Sequence, residues 1–189
     1  MSIDRGAPAR LTLDRTVLVV IDLQERFNGL IHGMDQVLAR SERLIAFCRQ
    51  LDIPVIVTEQ YPRGLGSTVP RIREACRPFS AIEKTTFSCA GNEAFLAALR
   101  ATGRDQVILC GIETHVCVYQ TACDLLREGL QVALAADAVS SCRAADRDLG
   151  LQRLRDVGAD VMGAQMIMFE IIRDAATPEF KKVSGLLKN

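Results

Sequence analysis

The apolar residues of the chain fall into short continuous runs, separated by amphipathic or polar segments. The first run, Thr16–Asp22, is apolar at every position between a threonine and an aspartate. Such a run is typical of a strand that is buried on both faces, as in a parallel sheet. Similar runs predict five further strands, which lie at residues 54–58, 81–84, 106–110, 130–135 and 160–162.

Amphipathic segments with helical spacing fill most of the intervals between these strands. The predicted helices run from Asp35, as N-cap, to about Leu51; from Asn92, as N-cap, to Arg100; from about Cys117 to Glu128; from Ser140 or Ser141, as N-cap, to about Val157; and over residues 164–175 and 178–188. The segment 59–80 contains three prolines and two glycines and is predicted to be a long surface loop.

This alternation of strands and helices predicts parallel βαβ units that pack as a three-layer α/β/α sandwich. No linker, repeat or low-complexity segment divides the sequence, so we expect one domain over residues 1–189. The first strand is not followed by GxGxxG, and no P-loop motif occurs. The sequence therefore predicts neither a dinucleotide nor a nucleotide cofactor.

Composition excludes several classes of function. The 23 basic side chains are balanced by 23 acidic ones, so no excess of positive charge favours nucleic acid. The apolar runs are far shorter than the roughly 20 residues that span a bilayer. Two histidines and the absence of CxxC pairs disfavour a zinc site. Seven cysteines without framework spacing, and an N-terminus without an apolar run, predict a reduced cytoplasmic protein.

Three residues stand where ligands bind in an open parallel sheet, outside the carboxyl ends of the strands. Asp22 ends the first strand, Lys84 ends the third, and Cys117 follows the turn after the fourth. A carboxylate buried alone is costly, so Asp22 must be solvated, paired or catalytic, with a role as N-cap or loop anchor as the alternative. At a helix start Cys117 would have a lowered thiol pKa, an argument that also applies to Cys142.

The motifs around these residues resemble those of the isochorismatase-like cysteine hydrolases, which include nicotinamidases and N-carbamoylsarcosine amidases. The matching stretches are VVIDLQ (19–24), PVIVTEQYP (54–62), EKTTFS (83–88), VILCGIETHVCV (107–118) and DAVSS (137–141). The resemblance extends over about residues 12–175. The stretch EQYPRGLG (59–66) is most similar to the uncharacterised isochorismatase-domain hydrolases.

The resemblance implies a six-stranded parallel sheet in the order 3-2-1-4-5-6 and a catalytic triad of Asp22, Lys84 and Cys117. It also implies a cis peptide bond between Ile112 and Glu113, in a turn whose backbone N–H groups, including that of Cys117, would form an oxyanion hole. No cofactor is implied, and the family's members are typically dimers or tetramers, so we expect a homo-oligomer.

The implied reaction is hydrolysis of a C–N bond in a small amide or carbamoyl compound through a thioester. The metal-dependent nicotinamidases carry an Asp-x-His-x-x-His pattern after the second strand, where this chain reads TEQYPRGL (58–65), so no metal is expected. Isochorismatases that cleave a vinyl ether do not need the cysteine. Because Cys117 is present, thiol chemistry is favoured over ether cleavage.

Substrate contacts are expected on the loops around the triad, with ordinary loop packing or solvent exposure as the alternative for each residue. The candidates are Gln24, Phe27, Tyr61, Phe87, Glu113 and His115. His115 could also act as the base of a Cys–His pair, although the resemblance gives that role to Asp22, and His32 is expected at the surface. Two other functions stay open: a catalytically silent binding or scaffold protein, and a thiol redox sensor with a resolving cysteine near Cys117.

Overall fold

The computed structural model describes residues 10–188 and contains a six-stranded, all-parallel sheet. Its strands are β1 (Thr16–Ile21), β2 (Val55–Gln60), β3 (Ile82–Lys84), β4 (Gln106–Ile112), β5 (Gln131–Ser140) and β6 (Asp160–Met162). They are ordered β3-β2-β1-β4-β5-β6. The predicted fold class and strand order are confirmed.

Helices cover both faces of this sheet. They are α1 (Met34–Gln50), α2 (Pro62–Leu65), α3 (Pro70–Ala75), α4 (Glu93–Ala101), α5 (Tyr119–Arg127), α6 (Ala144–Val157), α7 (Ala164–Ile172) and α8 (Pro178–Leu187). Short 3-10 helices lie at Glu25–Phe27 and Cys89–Gly91, and a π-helical turn at Thr114–Val118 leads directly into α5.

The side chains of β1 alternate between two hydrophobic cores. Leu18 and Val20 pack with α1, α3, α7 and α8 on one face of the sheet. Val17, Val19 and Ile21 pack with α4, α5 and α6 on the other face. Every residue of β1 is buried, as the uninterrupted apolar run predicts for a central parallel strand.

Several element boundaries differ from those predicted. Helix α1 begins at Met34, and its N-cap is Gly33 in the left-handed conformation rather than Asp35. Neither Ser140 nor Ser141 caps α6, because β5 continues to Ser140 and the α6 N-cap is Arg143. The predicted loop 59–80 contains the end of β2 as well as α2 and α3. The predicted N-cap at Asn92 is confirmed, since its side chain accepts a hydrogen bond from the Phe95 N–H.

The sheet is tightest where β4 passes β1 at Gly111. This residue has φ +114°, and a Cβ atom placed on it would lie 2.0 Å from the carbonyl oxygen of Ile21. Only glycine fits such a close approach of two backbones. The contact fixes the carboxyl end of β4, from which the turn to Cys117 starts, directly beside the carboxyl end of β1.

None of the helices within residues 10–188 is long and apolar enough to cross a membrane. The prediction that the chain has no secretory signal rests mostly on residues 1–9. These residues lie outside the described part of the chain. The extent of the domain, residues 1–189, stays a prediction.

Candidate active site

Asp22 follows β1 directly and turns its carboxylate into the protein. Its φ is +53°, a conformation that aspartate tolerates better than most residues do. The residue is 1% exposed, and both carboxylate oxygens accept hydrogen bonds. Thr58 Oγ1 donates to Oδ1 at 2.7 Å, and Lys84 Nζ donates to Oδ2 at 2.7 Å. The carboxylate is therefore paired rather than solvated, and it caps no helix.

Lys84 ends β3 and reaches across β2 to Asp22 with a completely buried side chain. Its ammonium also donates to Gln60 Oε1 at 2.7 Å. The carbonyl oxygens of Thr86 and Phe87 lie at 3.3 Å and 3.2 Å from the same nitrogen. A buried ion pair of this kind persists only when further hydrogen bonds satisfy both partners, and here they do.

Cys117 lies inside the π-helical turn and is 7% exposed. Burial, the charge of Asp22 and a hydrogen bond to Asp22 together raise the pKa of its thiol to about 12, and the charge of Lys84 opposes them. The predicted lowering of this pKa is wrong. The cysteine is not at the free N-terminus of a helix, and loss of solvation outweighs the cation. At neutral pH the group is therefore a protonated thiol, and the hydrogen bond to Asp22 favours that form.

The turn before Cys117 is built around Glu113. The Ile112–Glu113 peptide bond is cis, at the position that the family resemblance implies. The Glu113 carbonyl oxygen accepts hydrogen bonds from the N–H groups of Val116 and Val118, at 3.1 Å and 3.2 Å. The Glu113 carboxylate accepts one from the Cys142 N–H at 2.7 Å, which ties the turn to the segment after β5.

Two of the predicted substrate contacts, Gln24 and Phe27, are packed into the protein. Gln24 is buried: its Nε2 donates to the carbonyl oxygens of Gln60 and Gly66, and its Oε1 accepts from the Gln60 N–H. The amide thus binds the loop after β2 to the end of that strand instead of presenting free polar atoms. Phe27 is half-buried and packs against the core on the α1 face.

The other predicted contacts lie at the surface around Lys84 and Cys117. Phe87 is 55% exposed, and its carbonyl oxygen faces Lys84. Tyr61 is 54% exposed, and its ring covers Gly64. The half-buried ring of His115 is fixed by Ser141, since 2.9 Å separates Nδ1 from Oγ.

A cavity of about 360 Å³ lies at the edge of the sheet beside β3. It is lined by Tyr61, Pro62, Arg63, Glu83, Lys84, Thr85 and Asn92. Neither Asp22 nor Cys117 lines it, so Tyr61 faces a cleft on the outer side of Lys84. Within residues 10–188, no group of three or more His, Cys, Asp or Glu residues is arranged to hold a metal ion.

Sequence reasoning missed Thr58 on β2, which contacts Asp22, and Cys89 in the 3-10 helix after β3, which contacts Thr58. Thr58 is fully buried against Asp22. The Cys89 thiol donates to Thr58 Oγ1 at 3.8 Å, and burial raises its pKa to about 11. The signal for Thr58 was available, because a hydroxyl at the end of an apolar strand faces the same sheet edge as Asp22. No sequence signal places Cys89 there.

Comparison with known proteins gives three informative matches. The family profile described as isochorismatase domain matches residues 16–166. Isochorismatase domain-containing protein 2 of Danio rerio is 41% identical over 180 residues, which cover 94% of this chain and 89% of that protein. The structure of MAR1 ribonuclease from Caenorhabditis elegans is 38% identical with a TM-score of 0.89, covering 95% of this chain and 92% of that one.

A second solved structure, more distant in sequence, is a fourth match. YcaC from Pseudomonas aeruginosa, determined with hexane-2,5-diol and covalent acrylamide, is 25% identical with a TM-score of 0.90. The alignment covers 97% of this chain and 92% of that one.

Proposed function

This chain belongs to the isochorismatase family, and from that premise we propose that it is a cysteine-dependent hydrolase of small amides or carbamoyl compounds. Membership of the family indicates a hydrolase. The observation that carries the finer proposal is the buried Asp22–Lys84 ion pair beside a thiol that is hydrogen-bonded to Asp22. A carboxylate, a cation and a thiol in contact are the groups that acyl transfer to sulfur requires.

The first chemical step follows from the raised thiol pKa. Because Cys117 holds its proton at neutral pH, it attacks a carbonyl only if a base takes that proton during the attack. Asp22 is the base in hydrogen-bond contact. Sulfur then bonds to the carbonyl carbon, the C–N bond breaks, and Asp22 returns the proton to the departing amine. The products of this step are a thioester on Cys117 and ammonia or an amine.

Deacylation reverses these roles. A water molecule gives its proton to Asp22 and attacks the thioester, and the proton then returns to the sulfur of Cys117. Lys84 holds the Asp22 carboxylate in place between the steps through their 2.7 Å contact. The oxyanion of each tetrahedral intermediate would be held by backbone N–H groups of the turn Ile112–Cys117, among them that of Cys117 itself.

The comparisons add one point of support and one competing assay. YcaC carries a covalent acrylamide, which shows that this fold can present a group that reacts with a small amide-bearing electrophile. The C. elegans structure is named a ribonuclease, so RNA belongs among the compounds tested. The equal numbers of basic and acidic side chains in this chain give no electrostatic support to an RNA substrate.

The test is ammonia release over a panel of small primary amides and carbamoyl compounds, with a labelled RNA as a separate arm. We expect turnover by the wild type and its loss in Cys117→Ala. Cys123→Ala, which removes a half-exposed thiol from α5, is the matched control and should retain activity. Substantial turnover by Cys117→Ala would refute the thiol mechanism, and RNA cleavage without ammonia release would replace the proposed reaction.

The alternative functions are separated by the reactivity of Cys117. A binding or scaffold protein predicts that Cys117 does not react with small electrophiles at neutral pH. A redox sensor predicts a disulfide after mild peroxide, for which Cys89 is the candidate partner, since its thiol contacts Thr58, which binds Asp22. The small-molecule substrate, the absence of nucleic acid and membrane partners, the homo-oligomer and the cytoplasmic location stay predictions.

A further inference from the structure

Within residues 10–188, Thr58 is the one hydroxyl that donates a hydrogen bond to the carboxylate of Asp22. It lies on β2 directly beside the end of β1, and the two strands pair Ile21 with Thr58. Its carbonyl oxygen accepts the Asp22 N–H at 3.2 Å, and its hydroxyl donates to Asp22 Oδ1 at 2.7 Å. Thr58 therefore holds both the backbone and the side chain of Asp22, and none of its surface is exposed.

The carboxylate of an aspartate needs such contacts to keep one orientation, because rotation about its Cβ–Cγ bond is only weakly restricted. Lys84 holds Oδ2 and Thr58 holds Oδ1, so the two donors fix the carboxylate plane from opposite oxygens. With only one of these donors, the plane could turn about the remaining hydrogen bond. A carboxylate that turned in this way would no longer hold one oxygen in a fixed position for the proton of Cys117.

The Asp22 carboxylate can only accept a hydrogen bond and so determines the direction of the Thr58 hydroxyl, and the Cys89 thiol is consistent with that direction. A threonine hydroxyl has one hydrogen and can donate or accept. The Cys89 thiol keeps its proton at neutral pH, since burial raises its pKa to about 11, and it therefore acts as a donor toward Thr58 Oγ1. The oxygen of Thr58 accepts from sulfur, and its own hydrogen is directed to Asp22.

We propose that Thr58 is a positioning residue that orients the Asp22 carboxylate to accept the proton of Cys117. This inference rests on the proposed function, in which Asp22 is the base. It predicts that removing the hydroxyl slows the reaction of Cys117 while leaving substrate affinity unchanged, because Thr58 is buried behind Asp22 and would not contact the substrate.

The test measures the alkylation of Cys117 by iodoacetamide at pH 7.5 in the full-length protein, followed by peptide mass spectrometry. Thr58→Val keeps the size and branching of the side chain, and should slow alkylation about tenfold or more, the effect of losing one hydrogen bond to a charged group. Thr58→Ser keeps the hydroxyl and should react within about twofold of the wild type. Thr58→Ala is a second deletion variant, in case Thr58→Val does not fold.

Thr16→Val is the matched control, since Thr16 is also fully buried and donates its hydroxyl at 2.6 Å, but at the opposite end of β1. It should alkylate at the wild-type rate. Once a substrate is known, Thr58→Val should lower kcat about tenfold and leave KM unchanged. The proposal is overturned if folded Thr58→Val or Thr58→Ala alkylates at the wild-type rate, or if Thr58→Ser is as slow as Thr58→Val.

Alkylation does not require turnover, so this test separates the positioning role from the proposed function. If no amide is hydrolysed but the Thr58 variants slow alkylation as expected, the positioning role stands and the reaction was wrongly assigned. If Asp22→Asn releases ammonia at the wild-type rate, Asp22 is not the base and the proposed mechanism fails. In that case equal rates in the Thr58 variants would also overturn the positioning role.

Discussion

The burial of the Asp22–Lys84 pair makes Lys84→Met a sharp test of the site. The side chains of Lys84 and Asp22 are 0% and 2% exposed, and their contact is 2.7 Å long. Methionine has a similar length but no charge, so the substitution leaves a carboxylate in the protein interior without its cation. It also removes the donor that serves Gln60 Oε1 and the carbonyl oxygens of Thr86 and Phe87.

Removing one partner of a buried pair costs about 3–5 kcal/mol. For a chain of this length, that corresponds to a fall in Tm of about 6–20 °C. The measurement is urea unfolding with thermal melting of the same samples. Arg77→Met is the matched control, because the Arg77–Glu74 contact is also 2.7 Å long but its side chains are 73% and 64% exposed. That substitution should cost less than about 1 kcal/mol.

The double variant Asp22→Asn/Lys84→Met isolates the interaction between the two charges. It should be destabilised by less than the sum of the single substitutions, because no uncompensated charge is left in the interior. A cost below about 1 kcal/mol for Lys84→Met would refute the reasoning. Additive single substitutions would refute it as well, since they would mean that the two charges do not interact in the folded state.

Two further predictions concern the thiols and the glycines. Burial raises the pKa of the Cys110 and Cys117 thiols to about 12. Thiols of the unfolded chain ionise near pH 9, so above that pH the unfolded chain binds fewer protons than the folded protein. The free energy of unfolding should therefore fall as the pH rises, by up to about 1.4 kcal/mol per pH unit for each thiol. Urea unfolding at pH 8, 9 and 10 measures this slope, and a slope unchanged in Cys110→Val would contradict it. Gly111→Ala should cost more than about 3 kcal/mol or prevent folding, since its Cβ would lie 2.0 Å from the Ile21 oxygen. Gly129→Ala, with φ +82° and no atom within 4 Å of the added Cβ, should cost only about 1–2 kcal/mol in urea unfolding, and equal costs for the two would contradict the steric argument.

The sequence by itself determined the sheet and the location of the chemistry. Because all strands of a parallel sheet end at the same edge, Asp22, Lys84 and Cys117 were expected to meet although they are far apart along the chain. The structure brings them together through contacts of Asp22 with the other two.

Only the tertiary structure decided the properties that depend on burial. The sequence places Cys117 near a helix start and so suggests a lowered thiol pKa, but the turn is packed into the protein and desolvation raises that pKa instead. The amide of Gln24 looked available for substrate, but the folded loop after β2 uses all of it. Thr58 and Cys89 join the site through side-chain packing between separate elements. The local sequence pattern indicates which strand a residue ends. The solvation and the hydrogen-bond partners of that residue are set by residues distant in the chain. Solvation and hydrogen bonding together decide whether a thiol beside a carboxylate is ionised or protonated.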